Sequence, residues 1–578
     1  MLVPCIQRLL YIFFRSPHNL QTCTLSTFLS DAVPLNRNQS ASDILLFTSP
    51  IDMMHCVRSL LLSALGFFLF GIHSDAQGVG PGQALSSTTS NSIYNTRFEN
   101  VTWDNAAWEV RTTNLDQGHF QSRLSIANGY LGINVAAVGP FFEVDTPVDG
   151  DDINGWPLFD RRQTFATIAG FFDEQPTTNG TNFPWLNQYG GESVISGVPH
   201  WSGIVVDLGA DVYLDATVDN TTISNFSSAL NAKQGISTWS YTWAPANMST
   251  SFEISYTMFA HKLYINQAFV QLQITPSADT NCTIVNVMDG TSALRTNFTS
   301  SGMEGSQIYS AVTPYNVHNV TAHIYSTMEG SAEVDMSSLA IVTDKLYIGV
   351  NDSSIAQGAS AALKAGQTTT VTKYVGGASS DGFLDPQRTA SGECMQAMQN
   401  GFEKSMATHV QEWAVVFPDD SVDNYTYPEN GTLPADQYII ESAITAVLNP
   451  YYLLQNTISA NALSNASYAP IDTWSISVSG LTSDSYAGLV FWDAEIWMQP
   501  GLAVANPQAV KQIANYRVER YGQAKANAQT AYQSSKNTTS FSSDAAVFSW
   551  TSGRYGNCTG TGPCFGECNE LVIGDSWS

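Results

Sequence analysis

Two carboxylates lie among aromatic side chains near the end of the stretch Gly480–Pro500, which reads GLTSDSYAGLVFWDAEIWMQP. They are Asp493 and Glu495. The aromatic residues of the stretch are Tyr486, Phe491, Trp492 and Trp497. Aromatic rings cover the apolar C–H faces of a sugar, and carboxylates accept hydrogen bonds from its hydroxyl groups. The combination therefore favours carbohydrate recognition. The alternative is a buried helix start that contains one internal salt bridge.

Three segments of the chain resemble sequences of glycoside hydrolase family 65. One is the stretch just described, and the others are SIANGYLG at Ser125–Gly132 and LFDRRQTFATIAGFFD at Leu158–Asp173. The family contains fungal acid trehalases and bacterial disaccharide phosphorylases, and the segment at Leu158–Asp173 is more similar to the trehalases. The resemblance extends from about Phe98 to about Phe565. Each segment alone is a weak signal, and the combination is specific.

The resemblance implies an α+β multidomain fold, in which an N-terminal antiparallel β-sandwich precedes the first part of an (α/α)6 barrel. It implies hydrolysis of α,α-trehalose to glucose by an inverting mechanism, which uses carboxylic acids and water and needs no metal or organic cofactor. Trp492 and Asp493 would then contact the glucosyl unit, and Asp493 would accept hydroxyl hydrogen bonds. Tyr486 would line the pocket or pack against it. Glu495 would bind substrate or form an ion pair behind the site.

Asp493 and Glu495 are not expected to be the general acid and the general base together. An inverting glycosidase places those carboxyl groups roughly 6.5–9.5 Å apart on opposite sides of the bond. Residues two apart in a helix do not share a face. The family's acid and base are expected beyond residue 578. A complete barrel needs roughly 300–400 residues, and about 185 follow Gly392, so we expect a C-terminally truncated chain.

Two other groups in the family-like segments have structural interpretations. Arg161 and Arg162 are expected to pair with carboxylates where the sandwich meets the barrel. The glycines of Asn128–Gly132 are expected to form a tight turn between strands rather than to touch substrate.

The whole-chain composition excludes several classes of protein. The 578 residues carry a formal net charge of −27, and the pI is near 4.4. Nucleic acid is not an expected partner, because its phosphate groups would be repelled. The chain has 13% charged and 43% hydrophobic residues, which is typical of a globular rather than a disordered protein. The length predicts roughly two to four domains.

A secretory signal is predicted after an N-terminal extension. Arg58 precedes the apolar run Leu60–Ile72. Ser74 and Ala76 then fit the small-residue rule for cleavage before residue 77. The run is too short for a stable membrane span. The alternative is a signal anchor with a short cytoplasmic tail.

The predicted organisation of the chain follows from these features. Residues 1–52 are expected to be a non-native extension, residues 53–76 a signal peptide and residues 77–95 a linker rich in Gly, Ser and Thr. Residues 96–380 are expected to form the β-sandwich. Residues 381–578 are expected to form the partial barrel.

Glycosylation sequons agree with passage through the secretory pathway. Fourteen Asn-X-Ser/Thr sites follow the predicted signal, at Asn100, Asn179, Asn220, Asn225, Asn247, Asn281, Asn297, Asn319, Asn351, Asn424, Asn430, Asn465, Asn537 and Asn557. N-glycans on these side chains would place them all at the surface. The expected location is secreted, in the cell wall or periplasmic space, or in the vacuole.

Period-two patterns predict strands before about residue 380. Val270, Leu272 and Ile274 alternate with polar residues. A second alternation, over Val212–Asp219, predicts another strand.

Helical spacing follows that β region. Apolar residues at spacings of three and four predict one amphipathic helix through Met398, Phe402, Met406, Val410, Trp413 and Val416. Tyr438–Leu454 is predicted to be helical, and Pro450 to end or kink that helix. Asn506 is a predicted N-cap before Pro507, and the DAEIW segment is expected to open another helix.

The five cysteines after the signal cannot all pair internally. The pairs considered are Cys282 with Cys394, and Cys558 with Cys564 across a short Gly/Thr loop, which leaves Cys568. A zinc site at the last three cysteines lacks a fourth ligand, so no metal is expected.

Two alternative functions remain open. The first is a family 65 disaccharide phosphorylase, although recovery of a sugar phosphate is an intracellular task and the predicted signal is secretory. The second is a non-catalytic, secreted carbohydrate-binding glycoprotein. The sequence contains no GxxxxGK[ST] loop, no HExxH motif and no GxSxG elbow.

Overall fold

The structure is a computed structural model that describes residues 92–146, 163–174, 193–466, 471–530, 544–549, 551–556 and 571–573. All described residues belong to one compact unit within Thr89–Ser578. The predicted extension and signal peptide, most of the predicted linker, and Arg161, Arg162, Cys558, Cys564 and Cys568 lie outside the described residues.

The described strands are short at the N-terminus and long in the middle of the chain. In chain order they are β1 Ile93–Asn95, β2 Val101–Asp104, β3 Glu109–Thr112, β4 Leu124–Ala127, β5 Leu131–Val135, β6 Ala166–Ile168, β7 Ile204–Asp207, β8 Tyr213–Leu214, β9 Ile223–Asn231, β10 Ile236–Trp243, β11 Phe252–Ala260, β12 Gln267–Pro276, β13 Thr280–Met288, β14 Thr296–Glu304, β15 Gln307–Pro314, β16 Ala322–Gly330, β17 Val334–Val342, β18 Ile355–Leu363, β19 Thr369–Ser379, β20 Val490–Phe491, β21 Ala546–Phe548, β22 Thr551–Ser552 and β23 Leu571–Ile573.

The described α-helices all follow β19. They are α1 Pro386–Asn400, α2 Phe402–Val416, α3 Gln437–Leu454, α4 Ala460–Asn465, α5 Gln499–Leu502, α6 Pro507–Glu519 and α7 Tyr521–Thr530, and a π-helical turn spans Ala494–Met498. Short 3-10 helices span Phe120–Ser122, Asn220–Thr222, Gly290–Ser292, Leu346–Ile348, Asp419–Ser421 and Ser485–Gly488.

Two antiparallel sheets form the sandwich. The larger has eleven strands in the order β1-β2-β3-β9-β10-β11-β12-β19-β16-β15-β14, and the smaller has five in the order β17-β18-β13-β7-β8. Lys373 of β19 crosses between them: its Nζ donates to the carbonyl oxygens of Gly203 (3.1 Å) and Val287 (2.7 Å), and burial holds its pKa well below the usual value. The antiparallel sandwich followed by helices confirms the predicted fold class.

The strand patterns were predicted with different success. In β12, Val270, Leu272 and Ile274 are fully buried, which confirms that prediction. The predicted strand over Val212–Asp219 is wrong in extent, because only Tyr213–Leu214 pairs with a neighbour. Burial still alternates from residue to residue beyond that pair. The strand nevertheless ends there, because the Asp215 carboxylate caps a turn by accepting the backbone N–H of Thr217.

The predicted amphipathic helix through Met398 and Val416 is two helices. Gly401 separates α1 from α2 with a φ of +76°, a value that glycine adopts without strain. The apolar spacing continues across the break because α1 and the first part of α2 pack on the sandwich core, whereas Trp413 near the end of α2 packs in a second cluster with Tyr451 of α3.

The other two predicted helices occur where expected. Helix α3 passes through Pro450 and ends at Leu454, so of the two expected effects of this proline, ending the helix is wrong and a kink stays a prediction. Asn506 and Pro507 begin α6 as predicted, although the Asn506 side chain makes no capping hydrogen bond.

Cys282 and Cys394 are both free and buried, so the pairing considered for them is wrong. Cys282 lies in β13 of the smaller sheet. Cys394 lies in α1, where its Sγ donates to the Tyr374 carbonyl oxygen at 3.4 Å.

Helix α1 packs directly on strands β16 and β19. The closest approach is at Gly376, where an added Cβ would lie 2.0 Å from the Ala390 carbonyl oxygen and 2.9 Å from Cys394 Cβ. Those atoms belong to the helix backbone and to a buried side chain, so they cannot rotate away. The helix therefore depends on a residue without a side chain in the strand below it.

We expect Gly376→Ala to lower the free energy of unfolding by about 2 kcal/mol or more, because the added methyl group overpacks this contact. The matched control is Gly392→Ala on α1, where nothing lies within 4 Å. That control should raise stability by about 0.5–1 kcal/mol through helix propensity. Urea unfolding measures both. Equal effects of the two substitutions would contradict the packing described.

Candidate functional site

The stretch Gly480–Pro500 forms a strand followed by a wide helical turn. Val490 and Phe491 form β20, which pairs with β22. Asp493 then lies at the N-cap position of the π-helical turn Ala494–Met498, which confirms that DAEIW opens a helix. Single π-turns inside helices are frequent at functional sites.

The two carboxylates of this turn have different surroundings. The Glu495 carboxylate binds the Arg517 guanidinium with both oxygens, at 2.8 Å (Nε to Oε1) and 2.9 Å (Nη2 to Oε2). Asp493 is half-buried, caps no backbone N–H of the turn, and has no hydrogen-bond partner among the described residues. Asp493 is therefore the carboxylate that remains available to a ligand.

Aromatic residues lie on both sides of Asp493 in the sequence. The rings of Trp492 and Trp497 lie 6.2 Å apart at an interplanar angle of 57°, and Trp497 is 65% exposed. Tyr486 packs edge-on against Phe491 at 5.8 Å and keeps 38% of its surface exposed. Exposure of large aromatic side chains beside an available carboxylate is an arrangement that can bind a sugar ring.

Three consecutive residues before the strand adopt left-handed backbone angles. Tyr486, Ala487 and Gly488 have φ values of +54°, +59° and +62°. For the first two residues this conformation costs about 1–3 kcal/mol each. Gly488 has no alternative, since an added Cβ would lie 2.4 Å from Ile195 Cγ2. Gly488 is the one residue of this turn whose type indicates left-handed backbone angles in the sequence.

The left-handed turn is held in place from the sandwich. The Ile195 N–H donates to the Ala487 carbonyl oxygen at 2.9 Å. Arg295 donates from Nε to the Ile195 carbonyl oxygen (2.7 Å) and from Nη2 to the Asp484 carboxylate (2.9 Å). These contacts offset the backbone strain and set the direction of the Tyr486 side chain.

The family-like segment that ends at Asp173 meets this turn. Its residues Phe165 and Phe172 form one apolar cluster with Leu489 and Phe491, and Trp492 packs against that cluster. Segments far apart in the sequence therefore build one site.

The Ser125–Gly132 segment packs against the chain that leads into the site. Gly129 forms the turn between β4 and β5 with a φ of +94°, which confirms the predicted turn. A Cβ there would lie 2.2 Å from the Thr457 carbonyl oxygen, and one on Gly132 would lie 2.2 Å from that of Leu481.

Besides Arg295, three arginines and a tryptophan that support the site were missed at the level of sequence. Arg554 pairs with Asp381 (Nη1 to Oδ1, 2.8 Å) and donates to the Gly170 carbonyl oxygen at 3.2 Å. Trp474 faces the guanidinium groups of Arg554 and Arg520 at 5.9 and 4.8 Å. Arg517 binds Glu495. These residues share no local motif with Gly480–Pro500, so spacing could not reveal them.

A separate cavity of about 560 Å³ lies in the sandwich. Its lining includes His200 and three acidic residues, Glu143, Asp215 and Asp289. Burial raises the pKa of Asp289 to about 6 and raises that of Glu143 and Asp215. Burial lowers the pKa of His200 to about 3. None of the predicted site residues lines this cavity.

Asp289 should make stability depend on pH. Its native pKa, about 6, lies above the unfolded value of 3.8. The stabilisation that protonated Asp289 gives the folded chain is therefore fully present below pH 4 and is lost as the pH rises through 6. The free energy of unfolding falls by at most about 3 kcal/mol over this range. Asp289→Ser keeps an oxygen for the Thr291 N–H and avoids the sequon that an asparagine at this position would create. We expect the free energy of unfolding of this variant, measured relative to that of the unsubstituted chain, to be higher at pH 7 than at pH 4.

The control is Asp207→Asn. Burial opposes ionisation of Asp207, but hydrogen bonds from Gly209, Lys345 and Tyr347 outweigh it, and the pKa lies below the usual value. Removing this carboxylate should therefore cost a nearly constant amount between pH 4 and pH 7. Urea titrations at both values measure the difference. A pH-independent effect of Asp289→Ser would contradict the assignment.

The described asparagines of the sequons are all exposed. Eleven of the fourteen sequons are described, and each of those asparagines lies at the surface. Among the sixteen other described asparagines, only five are exposed. The surface position of the sequons is therefore a property of the sequons and not of asparagine in general.

Membrane spans and metal clusters are absent from the described ranges. No helix there is both long and apolar enough to cross a bilayer. No group of three or more His, Cys, Asp or Glu side chains in those ranges could hold a metal ion.

Two family models match the chain. Residues 110–416 match the N-terminal domain of glycosyl hydrolase family 65, and residues 461–560 match the central catalytic domain of the same family. The second match contains Asp493, Glu495 and Arg517.

Curated relatives extend the match over most of the chain. A protein named cell wall acid trehalase from Arthroderma benhamiae is 59% identical over 497 residues, which cover 86% of this chain and 46% of the relative. A protein named acid trehalase from Emericella nidulans is 55% identical, over 82% of this chain and 45% of the relative. The chain therefore spans about half the length of these relatives.

A solved structure has a similar fold. A structure described as a putative kojibiose phosphorylase from the human microbiome superposes with a TM-score of 0.57 at 15% identity, over 78% of this chain and 52% of that one. At this identity the likeness supports the sandwich-and-helix architecture alone.

Proposed function

Because the chain belongs to glycoside hydrolase family 65, we propose that its protein hydrolyses α,α-trehalose to glucose. The observation that carries the proposal is the 59% identity to a protein named cell wall acid trehalase across 86% of this chain. The matched region includes the exposed aromatic side chains and the available carboxylate of the candidate site. Since the chain spans 46% of that relative, the activity is proposed for the whole protein.

We assign substrate binding to Asp493, Trp492 and Tyr486. Asp493 would accept hydrogen bonds from sugar hydroxyl groups, since its carboxylate accepts none from the described residues. Trp492 would shape the pocket for the apolar face of the glucosyl ring, and Tyr486 would line the edge on which the left-handed turn presents it. The partial exposure of both aromatic rings supports these roles.

Glu495 has a different proposed role. Both oxygens of its carboxylate are engaged by Arg517. A carboxylate in a two-pronged ion pair is poorly placed either to donate a proton or to bind a sugar hydroxyl. We therefore propose that Glu495 supports Asp493 from behind, and that neither residue is the acid–base partner of the other.

Hydrolysis is favoured over phosphorolysis. Both curated relatives described above are named as trehalases, and the structural likeness to a phosphorylase carries the fold only. The proposed reaction consumes water and releases two glucose molecules per trehalose. Phosphorolysis would consume phosphate and release one glucose and one glucose phosphate.

The activity test uses the complete native enzyme in phosphate-free buffer. We expect glucose release from trehalose without phosphate, and Asp493→Asn should lower kcat/KM about 10–150-fold, because a hydrogen bond to a charged group contributes about 1.5–3 kcal/mol. Asp420→Asn, at an exposed aspartate of the helical region, is the control and should leave kcat/KM unchanged. Strict phosphate dependence would overturn the proposal for the reaction. Full activity of Asp493→Asn would overturn the assignment of the site.

We also propose that the protein is a secreted N-glycoprotein of the cell wall or periplasmic space, with the vacuole as the alternative compartment. The surface position of all eleven described sequon asparagines supports this, and so does the name of the relative from Arthroderma benhamiae. Exposure is what the attachment of a bulky glycan requires.

Peptide mapping after enzymatic deglycosylation tests the glycans. We expect conversion of Asn to Asp at the sequons of the native protein. Asn316 and Asn449 are exposed but lie outside sequons, so they serve as internal controls and should stay unchanged. A native protein that carries no glycan at any sequon would contradict the proposed secretory route.

A further inference from the structure

The Arg517–Glu495 ion pair lies directly behind the proposed binding residues. Its two nitrogen–oxygen contacts measure 2.8 and 2.9 Å, and the side chains are only 12% and 19% exposed. A shielded, two-pronged pair fixes orientation as well as distance, because the guanidinium fork matches the carboxylate.

The same guanidinium reaches the other side of the dipeptide Trp492–Asp493. Arg517 Nη2 donates to the Phe491 carbonyl oxygen at 3.4 Å, and Nη1 donates to Ser552 Oγ at 3.4 Å. Phe491 immediately precedes the dipeptide, and Glu495 follows it by two residues. One side chain therefore anchors the backbone on both sides of Trp492 and Asp493.

Arg517 is itself held in position. It lies in the last turn of α6, and its guanidinium lies over the rings of Tyr516 (5.3 Å) and Phe548 (5.8 Å). A guanidinium group over aromatic rings is held by cation–π attraction, to which arginine is better suited than lysine. The anchor is thus connected to a helix and to strand β21.

Asp493 needs such an external anchor. Its carboxylate has no described hydrogen-bond partner, so no side-chain contact sets its direction. The turn that follows is π-helical, and such turns are rare because they do not propagate as the α-helix does. The orientation of Asp493 is therefore set by its backbone, and the backbone is set by Arg517.

We propose that Arg517 is a positioning residue, which with Glu495 fixes the Trp492–Asp493 backbone in the orientation that binds the glucosyl unit. Arg517 does not touch substrate. It acts through the Phe491 carbonyl group in front of the dipeptide and the Glu495 carboxylate behind it. The inference rests on the proposed function of this site and adds the residue that pre-organises it.

The test compares Arg517→Lys with Glu495→Gln in the complete native protein, as in the activity test. The lysine keeps the positive charge but loses the fork, and glutamine keeps the size of glutamate but loses its charge. Trehalose affinity is followed by tryptophan fluorescence. The circular-dichroism couplet of the Trp492–Trp497 pair, whose rings lie 6.2 Å apart, reports the local geometry. Arg111→Lys, in the more exposed Arg111–Glu109 pair of β3, is the matched control.

We expect each substitution at the buried pair to raise the Kd for trehalose at least tenfold and to weaken the couplet. The double variant should have a Kd no higher than that of the single variant that binds trehalose more weakly, because the two substitutions remove the same interaction. Arg111→Lys should change neither readout. A Kd within twofold of the unsubstituted chain for both single variants would overturn the inference, and so would an unchanged couplet.

A failure of the proposed function gives a different pattern. If the unsubstituted chain does not bind trehalose, the assignment of the site fails. The couplet then decides the positioning role alone, since it needs no ligand. If Arg517→Lys does not fold, Glu495→Gln supplies the same two readouts, because it leaves the stacked arginine in place.

Discussion

The structure depends on a close approach of backbone to backbone, where the sandwich meets the helices. Gly129, in the turn between β4 and β5, comes so near to Thr457 after α3 that it has no room for a Cβ, and Gly132 of β5 is equally close to Leu481. Lys262 closes this junction from the sandwich side. Its buried Nζ donates to the Leu454 and Thr457 carbonyl oxygens at 2.7 Å each, and burial lowers its pKa to about 7. The carbonyl groups at the end of α3 thereby receive hydrogen bonds from a residue in the loop between β11 and β12. The segment that leads to Gly480–Pro500 starts from this junction, so the junction helps to position the proposed binding residues.

Several strands and helices could be predicted from the sequence, because the spacing of apolar residues and the residues at helix starts act locally. Strand β12 is read correctly from the alternation of Val270, Leu272 and Ile274, since one face meets the core and the other does not. The start of helix α6 is predicted correctly from Pro507, because the fixed φ of proline suits the first helical position. The errors arise where one residue overrides a pattern. Gly401 divides a continuous apolar stripe into two helices, and a turn at Asp215 ends a strand whose alternation continues.

The site was only half predictable, for a physical reason. Trp492 and Asp493 were singled out because aromatic residues beside acids suit sugar recognition and because the stretch resembles the family, and their substrate contacts remain a prediction. The ion pair of Glu495 was foreseen as an alternative, but its partner was not, because Arg517 lies one helix later and nothing in the spacing connects them. The left-handed run Tyr486–Gly488 was also missed, since two of its three residues do not ordinarily adopt such angles. Strain of that kind is imposed by contacts from the sandwich, and those contacts exist only in the folded chain.

The most direct test of the central claim is a crystal structure of the protein with bound trehalose. We expect one glucosyl ring beside Trp492, with a hydroxyl group within hydrogen-bond distance of the Asp493 carboxylate, while Glu495 stays bound to Arg517. A sugar found instead in the sandwich cavity beside Asp289, with the Trp492–Asp493 surface empty, would contradict it.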